Sequence, residues 1–168
     1  MQTGQEPARM PSRNDLQDNA KKTSIGVLSG CLADSIDLYN ATRHAHWNVK
    51  GPSFGSLHTL FEEFYTQLAT DIDEVAERLV QLGGTAMGTS QSVQGSTRLQ
   101  PYPAELKAGM DHVHALLDRY SQVAKEYRAG IDTTDEAGDA DTADILTGIS
   151  KNLDKAVWML EAHTQTDR

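Results

Sequence analysis

The chain has 168 residues, a mass of 18.4 kDa and a formal net charge of −9. This length fits one domain, and without a long apolar run the chain predicts no membrane-spanning segment. With 15 basic and 24 acidic residues, it is a poor general binder of nucleic acid and suits a protein that collects cations.

The N-terminal region predicts a mobile tail and a cytoplasmic protein. Residues 1–15 are polar and contain two prolines, so we expect a flexible tail ahead of a single domain over residues 16–168. The first 22 residues have no apolar core of the kind that a secretory signal needs. Cys31 has no second cysteine for an internal disulfide, which fits a reducing compartment, and its apolar neighbours predict a buried thiol.

Apolar residues recur every three or four positions in four segments, the spacing of amphipathic helices. The segments are residues 25–39, 57–82, 106–123 and 146–160. No alternating run is long enough to predict a strand. The sequence therefore predicts an all-α protein with four long helices, which is the content of a four-helix bundle.

Helix-breaking residues separate these segments. Residues 50–53 (KGPS) lie between the first two, and Gly83-Gly84 ends the second. Gly130 predicts the end of the third helix, with an acidic loop after it and Asp141 or Thr142 as the cap of the fourth. Residues 85–103 form a long connection, which lets the second and third helices run parallel.

The second predicted helix has a polar face away from its apolar face. On a wheel of about 100° per residue with His58 at zero, the apolar residues fall between roughly 240° and 320°. Glu62, Asp73 and Glu77 fall near 40°, 60° and 100° and so share a face with His58. Imidazole and carboxylate together bind borderline divalent metals such as iron. Such pairs are also common among ordinary surface charges.

The spacing on this face excludes a single-chain site. His58 and Asp73 are 15 residues apart, or about 22 Å along a helix at about 1.5 Å per residue. If two copies of the helix lie antiparallel about a two-fold axis, the His58/Glu62 end of one meets the Asp73/Glu77 end of the other. Such a dimer has two equivalent sites.

Residues 44–84 (HAHWNVKGPSFGSLHTLFEEFYTQLATDIDEVAERLVQLGG) resemble the signature of the Dps family, the miniferritins named as DNA-binding proteins from starved cells. The matching elements are His46-Trp47-Asn48, the KG-x-x-F turn, Leu57-His58 and Asp73-x-x-Ala76-Glu77-Arg78. Residues 141–144 and 158–160 resemble the last helix of the family. The resemblance covers about residues 20 to 163 and implies a ferritin-like bundle with a long crossover, assembled from two-fold dimers into a dodecameric cage.

The resemblance also implies a ferroxidase centre at each two-fold interface. His46, His58 and Glu62 come from one subunit, and Asp73 and Glu77 come from its partner. The family more often has aspartate at the position of Glu62. The implied reaction oxidises Fe²⁺ to Fe³⁺, with hydrogen peroxide preferred over dioxygen, and stores a ferric mineral inside the cage. Two irons fit each centre with Glu77 between them, and zinc suits the same ligands as a resting ion.

Trp47 matches the aromatic residue beside the centre in relatives, and two roles for it stay open. It either takes part in electron transfer during peroxide reduction or anchors an interface as a large apolar side chain. His44 lies two residues from His46, about 200° away on a helix, so we do not expect the two to bind one metal and expect His44 to be exposed. The same spacing argues against a joint site at His112 and His114, for which we expect polar or interfacial positions.

Residues 132–144 hold six acidic residues and no basic one. A solvated loop explains them, and so does a pore that concentrates Fe²⁺. The resemblance implies pores at three-fold axes lined by acidic residues at the start of the last helix. The candidates for iron uptake are Glu136, Asp139 and Asp144.

Three other functions are alternatives to iron oxidation and storage. The main alternative is a nucleoid-associated DNA-binding protective protein whose ferroxidase activity is secondary. Residues 1–22 have a net charge of only +1, from Arg9, Arg13, Lys21 and Lys22 against Glu6, Asp15 and Asp18, which is little for phosphate binding. A classical ferritin is disfavoured because the chain has no E-x-x-H pattern. A catalytically silent bundle that uses the same face only to dimerise stays open.

Overall fold

The structure is a computed structural model that describes residues 10–165. Among these residues it has five α-helices and no strand. The helices are α1 (Asp18–Asn48), α2 (Phe54–Gln81), α3 (Ser90–Ser96), α4 (Gly109–Glu136) and α5 (Ala140–Thr164). The four long helices form the predicted bundle. Within the described residues, none of the helices has the length and apolar character needed to cross a membrane.

The two ends of the bundle show that the predicted crossover is correct. At one end, the Lys50 N–H donates to the carbonyl of Lys107, 2.8 Å away, so the end of α1, the start of α2 and the start of α4 lie together. At the other end, Arg78 near the end of α2 pairs with Asp139, which precedes α5. Helices α2 and α4 therefore run parallel, and residues 82–108 connect them along the length of the bundle.

Short helix α3 lies within this connection and was not predicted. Its only buried residue is Val93, so it has no apolar repeat that a sequence pattern would reveal. Its N-cap is Thr89, whose side chain accepts a hydrogen bond from the Ser92 N–H. The segment after α3 is held on α1 by Arg98, which pairs with Asp34 at 2.7 Å.

Two of the predicted breaks are confirmed by glycines with left-handed backbone angles. Gly51 has φ 109° between α1 and α2, and Gly83 has φ 90° after α2. The predicted break at Gly130 is wrong, because α4 continues to Glu136. Gly130 instead allows close packing: an added Cβ would lie 2.8 Å from Cγ1 of Val27.

The prediction for the cap of the last helix is also wrong. Asp139 precedes α5, and its carboxylate accepts a hydrogen bond from the Thr142 N–H at 3.1 Å. Neither Asp141 nor Thr142 has this position, since both already belong to the first turn of α5. The predicted acidic loop is reduced to residues 137–139, and the rest of the acidic run is helical.

The core lies between the apolar faces of the four long helices. On α2 the predicted apolar face is buried, apart from the half-buried Ile72. Cys31 is buried as predicted, and burial raises the pKa of its thiol to about 12. The third apolar segment starts later than predicted: Leu106 precedes α4, and Met110 is exposed.

Residues 1–9 of the predicted tail lie outside the described residues. Residues 10–15 form no helix and contact the end of α2. The Met10 N–H donates to the carbonyl of Gly83 at 2.9 Å, and the Ser12 hydroxyl donates to the carbonyl of Gln81 at 3.0 Å.

Candidate metal centre

Two predicted ligands, His46 and His58, meet where the end of α1 faces the first turns of α2. Nδ1 of His46 lies 2.8 Å from the carbonyl oxygen of His58, and Nδ1 of His58 lies 2.9 Å from the carbonyl oxygen of His46. The two rings stack with centroids 3.7 Å apart and planes inclined by 20°. The two residues therefore join α1 to α2 through a reciprocal pair of side-chain-to-backbone hydrogen bonds, which we call the histidine clasp.

This clasp determines which nitrogen of each ring is available to a metal. A carbonyl oxygen only accepts hydrogen bonds, so each Nδ1 must carry a proton. In a neutral imidazole the other nitrogen, Nε2, then has a free lone pair. A ligand histidine held by a carbonyl at its second nitrogen is the usual arrangement at protein metal sites. In the neutral form, Nε2 is therefore the nitrogen that each of the two histidines could offer to a metal.

Aromatic and cationic side chains surround the pair. The Tyr65 ring is nearly perpendicular to the His46 ring, with centroids 5.2 Å apart, and Phe54 lies 5.1 Å from His58. The guanidinium of Arg43 lies 4.6 Å from the centroid of the Trp47 ring, a cation–π contact. Trp47 is 61% exposed, so most of this large apolar ring is uncovered on a single chain.

The three carboxylates of the predicted site are exposed on α2. Glu62 is one turn after His58, and one of its oxygens, Oε1, lies 3.5 Å from the Tyr65 hydroxyl. Asp73 and Glu77 are farther along the same helix. Within residues 10–165 no group of three or more His, Cys, Asp or Glu side chains is close enough to hold a metal ion. The structure therefore brings the two histidines together, and on one chain it joins none of Glu62, Asp73 and Glu77 to them in such a group.

The candidate residues for iron uptake differ in their surroundings. Asp139 is fully buried, and its carboxylate accepts from Arg78 at 2.8 Å and from the Thr142 hydroxyl at 2.6 Å. Burial raises the pKa of Asp139, but these hydrogen bonds and the charge of Arg78 outweigh it, so the pKa lies below its ordinary value. Glu136 and Asp144 are exposed and flank this turn.

The remaining histidines do not join the centre. His44 is half-buried rather than exposed, with Nε2 3.2 Å from the carbonyl oxygen of Ala104. His112 is fully buried, contrary to the polar or interfacial position predicted for it, and its Nδ1 lies 2.7 Å from the Tyr102 hydroxyl. Burial is the main cause of its lowered pKa. His114 is exposed, which matches its expected position.

Tyr65 is the neighbour of the centre that the sequence analysis missed. It lies seven residues after His58, which places it about 20° from that residue on the wheel. Its wheel position beside His58 and Glu62 is the signal that the sequence carries for this contact. Arg43 had a weaker signal, its position one turn before Trp47 on α1.

Comparisons with known proteins agree with this fold. The family model described as the ferritin-like domain matches residues 27–168. The chain is 51% identical over 154 residues to the DNA protection during starvation protein of Agrobacterium fabrum, covering 92% of this chain and 95% of the relative. It is 37% identical to DNA protection during starvation protein 2 of Bacillus anthracis, covering 84% of this chain and 96% of the relative.

Solved structures show the same likeness. A Dps protein from Bacillus brevis superposes with a TM-score of 0.84 at 31% identity, over 89% of this chain and all of the other. A Dps protein from Vibrio cholerae O1, described as a member of a broad superfamily of ferritin-like diiron-carboxylate proteins, has a TM-score of 0.87 at 28% identity. It covers 94% of this chain and 99% of its own.

Proposed function

The chain belongs to the Dps family of ferritin-like proteins, and on this basis we propose that it oxidises Fe²⁺ to Fe³⁺ and stores the product as a ferric mineral inside a dodecameric cage. The site is shared by two subunits: His46, His58 and Glu62 of one, with Asp73 and Glu77 of the other. Iron is the substrate of the reaction and then the stored cargo.

The reciprocal clasp of His46 and His58 is the observation that carries this proposal. It holds Nδ1 of each ring on a backbone carbonyl, which makes Nε2 the ligand atom of both stacked rings. Two-metal sites hold their ions about 3.5–4 Å apart, and in a centre with two histidine ligands we assign one histidine to each iron. Carboxylates from the antiparallel partner helix then neutralise the positive charge and complete the coordination. Zinc suits the same ligands as a resting ion.

A pair of ferrous ions can reduce hydrogen peroxide to water without forming a hydroxyl radical. Two Fe²⁺ give up one electron each, and one H₂O₂ takes both with two protons to become two molecules of water. A single Fe²⁺ supplies only one electron, which leaves a hydroxyl radical. Dioxygen would also take two electrons from the pair, but with two protons it would become hydrogen peroxide instead of water. We therefore propose peroxide as the oxidant that fits a protective role.

Protection of DNA follows from this chemistry without direct contact. Removing Fe²⁺ and peroxide together removes both reagents that generate the radical. The formal charge of −9 per chain opposes approach to a polyanion, so we place DNA binding second to iron oxidation. The same chemistry belongs in the cytoplasm, where we propose that the protein acts.

Iron has to reach the centres through the shell of the cage. The exposed carboxylates Glu136 and Asp144 flank one turn at the start of α5 and are suited to attract Fe²⁺ at a pore. Asp139 is not included, because its carboxylate already binds Arg78 and Thr142 inside the subunit.

Substitution of Asp73 tests the proposal. We expect Asp73→Ala to lower the initial rate of peroxide-dependent iron oxidation, followed at 310 nm, by about tenfold or more, because one ligand is lost from every centre. Glu74→Ala is the matched control, since Glu74 is the adjacent exposed carboxylate and points about 100° away from Asp73. An unchanged rate in Asp73→Ala would remove Asp73 from the site.

A further inference from the structure

Tyr65 contacts both kinds of candidate ligand. It follows Glu62 by three residues and His58 by seven, so it lies on the ligand face of α2, and it is half-buried. Its ring lies against His46, and its hydroxyl lies beside Glu62.

The contact with His46 limits the freedom of that ring. The His58 ring covers one face of His46 at 3.7 Å, and the Tyr65 ring lies nearly perpendicular to it at 81°. Tyr65 is itself packed against Tyr39, with centroids 6.0 Å apart and planes at 86°. The position of Tyr65 is therefore set by α1 as well as by its own helix.

The contact with Glu62 concerns a side chain that is otherwise exposed. Glutamate has one more rotatable bond than aspartate, so more conformational freedom is lost when it binds a metal. The Tyr65 hydroxyl donates to Oε1 of Glu62 at 3.5 Å, a long hydrogen bond. This bond restricts the conformations of Glu62 to those with Oε1 beside the phenol of Tyr65, and it leaves the second carboxylate oxygen available.

We propose that Tyr65 is a positioning residue for the iron held by His58 and Glu62. Its hydroxyl orients the Glu62 carboxylate, and its ring holds His46 in place beside the site. The inference rests on the proposed ferroxidase function and deepens it, because it names what allows a glutamate to serve as a ligand here.

Removal of the hydroxyl is the direct test. In anaerobic calorimetric titrations with Fe²⁺, we expect Tyr65→Phe to weaken the binding of one of the two irons per centre by about threefold to tenfold, the range for loss of a modest hydrogen bond. The Fe²⁺ concentration at half-maximal oxidation rate should rise with it, while the maximal rate is retained. Tyr39→Phe is the matched control: it makes the same change in the tyrosine that packs against Tyr65, and its titration should equal that of wild type.

A double-mutant cycle with Glu62→Asp separates positioning from packing. In Glu62→Asp the carboxylate is withdrawn by one methylene from the phenol, so adding Tyr65→Phe should have no further effect. Equal effects of Tyr65→Phe in both backgrounds, or no effect in wild type, would overturn the inference while wild type still binds Fe²⁺. Failure of wild type to bind Fe²⁺ would instead overturn the proposed function, and the inference with it.

Discussion

Asp139 and Asp71 are both buried carboxylates, and the net shifts of their pKa values have opposite directions. Burial raises the pKa of Asp139, but the Thr142 hydrogen bonds and the charge of Arg78 outweigh it, so the net shift is downward. At Asp71, 3% exposed, burial also raises the pKa, and the hydrogen bonds from Gln67 and Asn152 do not compensate for it. Hydroxyl and backbone N–H donors, with a smaller contribution from the Arg78 charge, outweigh burial at Asp139, whereas two amide donors beside the like charge of Glu74 do not outweigh it at Asp71.

These shifts predict opposite effects of pH on stability. The lowered pKa of Asp139 means that this residue stabilises the fold above its unfolded pKa of about 3.9. That contribution is lost as the pH falls through the folded value. The raised pKa of Asp71 means that its contribution is present below the unfolded pKa and is lost as the pH rises through the folded value.

Neutral substitutions in urea unfolding test this pair. We expect Asp139→Asn to lower the free energy of unfolding at pH 7 by about 3 kcal/mol, because Arg78 is left buried without its partner, and to cost less as the pH falls below about 3.9. Asp71→Asn should change the free energy of unfolding little at pH 7, because Gln67 and Asn152 both donate to Oδ1 and an asparagine keeps this oxygen. A decrease in the free energy of unfolding of Asp139→Asn that is the same at every pH would contradict the lowered pKa of Asp139.

At the scale of the elements, α4 depends on a glycine inside it. An added Cβ at Gly130 would lie 2.8 Å from Cγ1 of Val27 and 3.3 Å from Cδ1 of Leu146. Val27 is β-branched, so its methyl groups move little without a change of rotamer. The close approach of α4 to α1 and α5 therefore requires glycine here, although glycine is unfavourable within a helix.

Replacement of this glycine by alanine separates packing from helix propensity. We expect Gly130→Ala to lower the free energy of unfolding by about 1–3 kcal/mol, because the gain in helix propensity is smaller than the cost of overpacking. Gly26→Ala is the control, since Gly26 lies in α1 and an added Cβ meets no heavy atom within 4 Å. The free energy of unfolding of Gly26→Ala should rise by about 0.5–1 kcal/mol in the same thermal or urea experiment. Equal gains in both variants would show that α4 has room for the methyl group.

At the scale of the whole molecule, the proposed centre needs two chains. His46 and His58 lie at the end of the bundle where α2 begins, whereas Asp73 and Glu77 lie in its second half. A two-fold axis that pairs α2 with an antiparallel copy brings the two groups together twice in each dimer. Large exposed side chains beside the histidines, Trp47 and Phe54, provide apolar surface for such a contact.

Mixing two inactive variants tests whether the centre is shared. His58→Ala and Asp73→Ala each damage every centre of their own dimer. In a mixed dimer, one centre carries both defects and the other carries neither. Random assortment makes half of the dimers mixed, so co-assembled protein should recover about a quarter of the wild-type rate of iron oxidation. Recovery of no activity, with mixed dimers shown by mass spectrometry, would mean that the centre lies within one chain.

Local patterns in the sequence were sufficient for much of this protein. Apolar spacing predicted the four long helices, Gly51 and Gly83 marked real breaks, and the wheel placed His58 and Glu62 on one face, because each of these depends on residues within a few turns. The ligand roles of all five residues proposed for the centre stay predictions. Only the tertiary structure decided that Gly130 continues a helix, that Asp139 caps α5 while it binds Arg78, and that His46 and His58 clasp each other. Those outcomes depend on contacts between residues distant in the chain, and local periodicity carries no information about which helix ends and side chains meet.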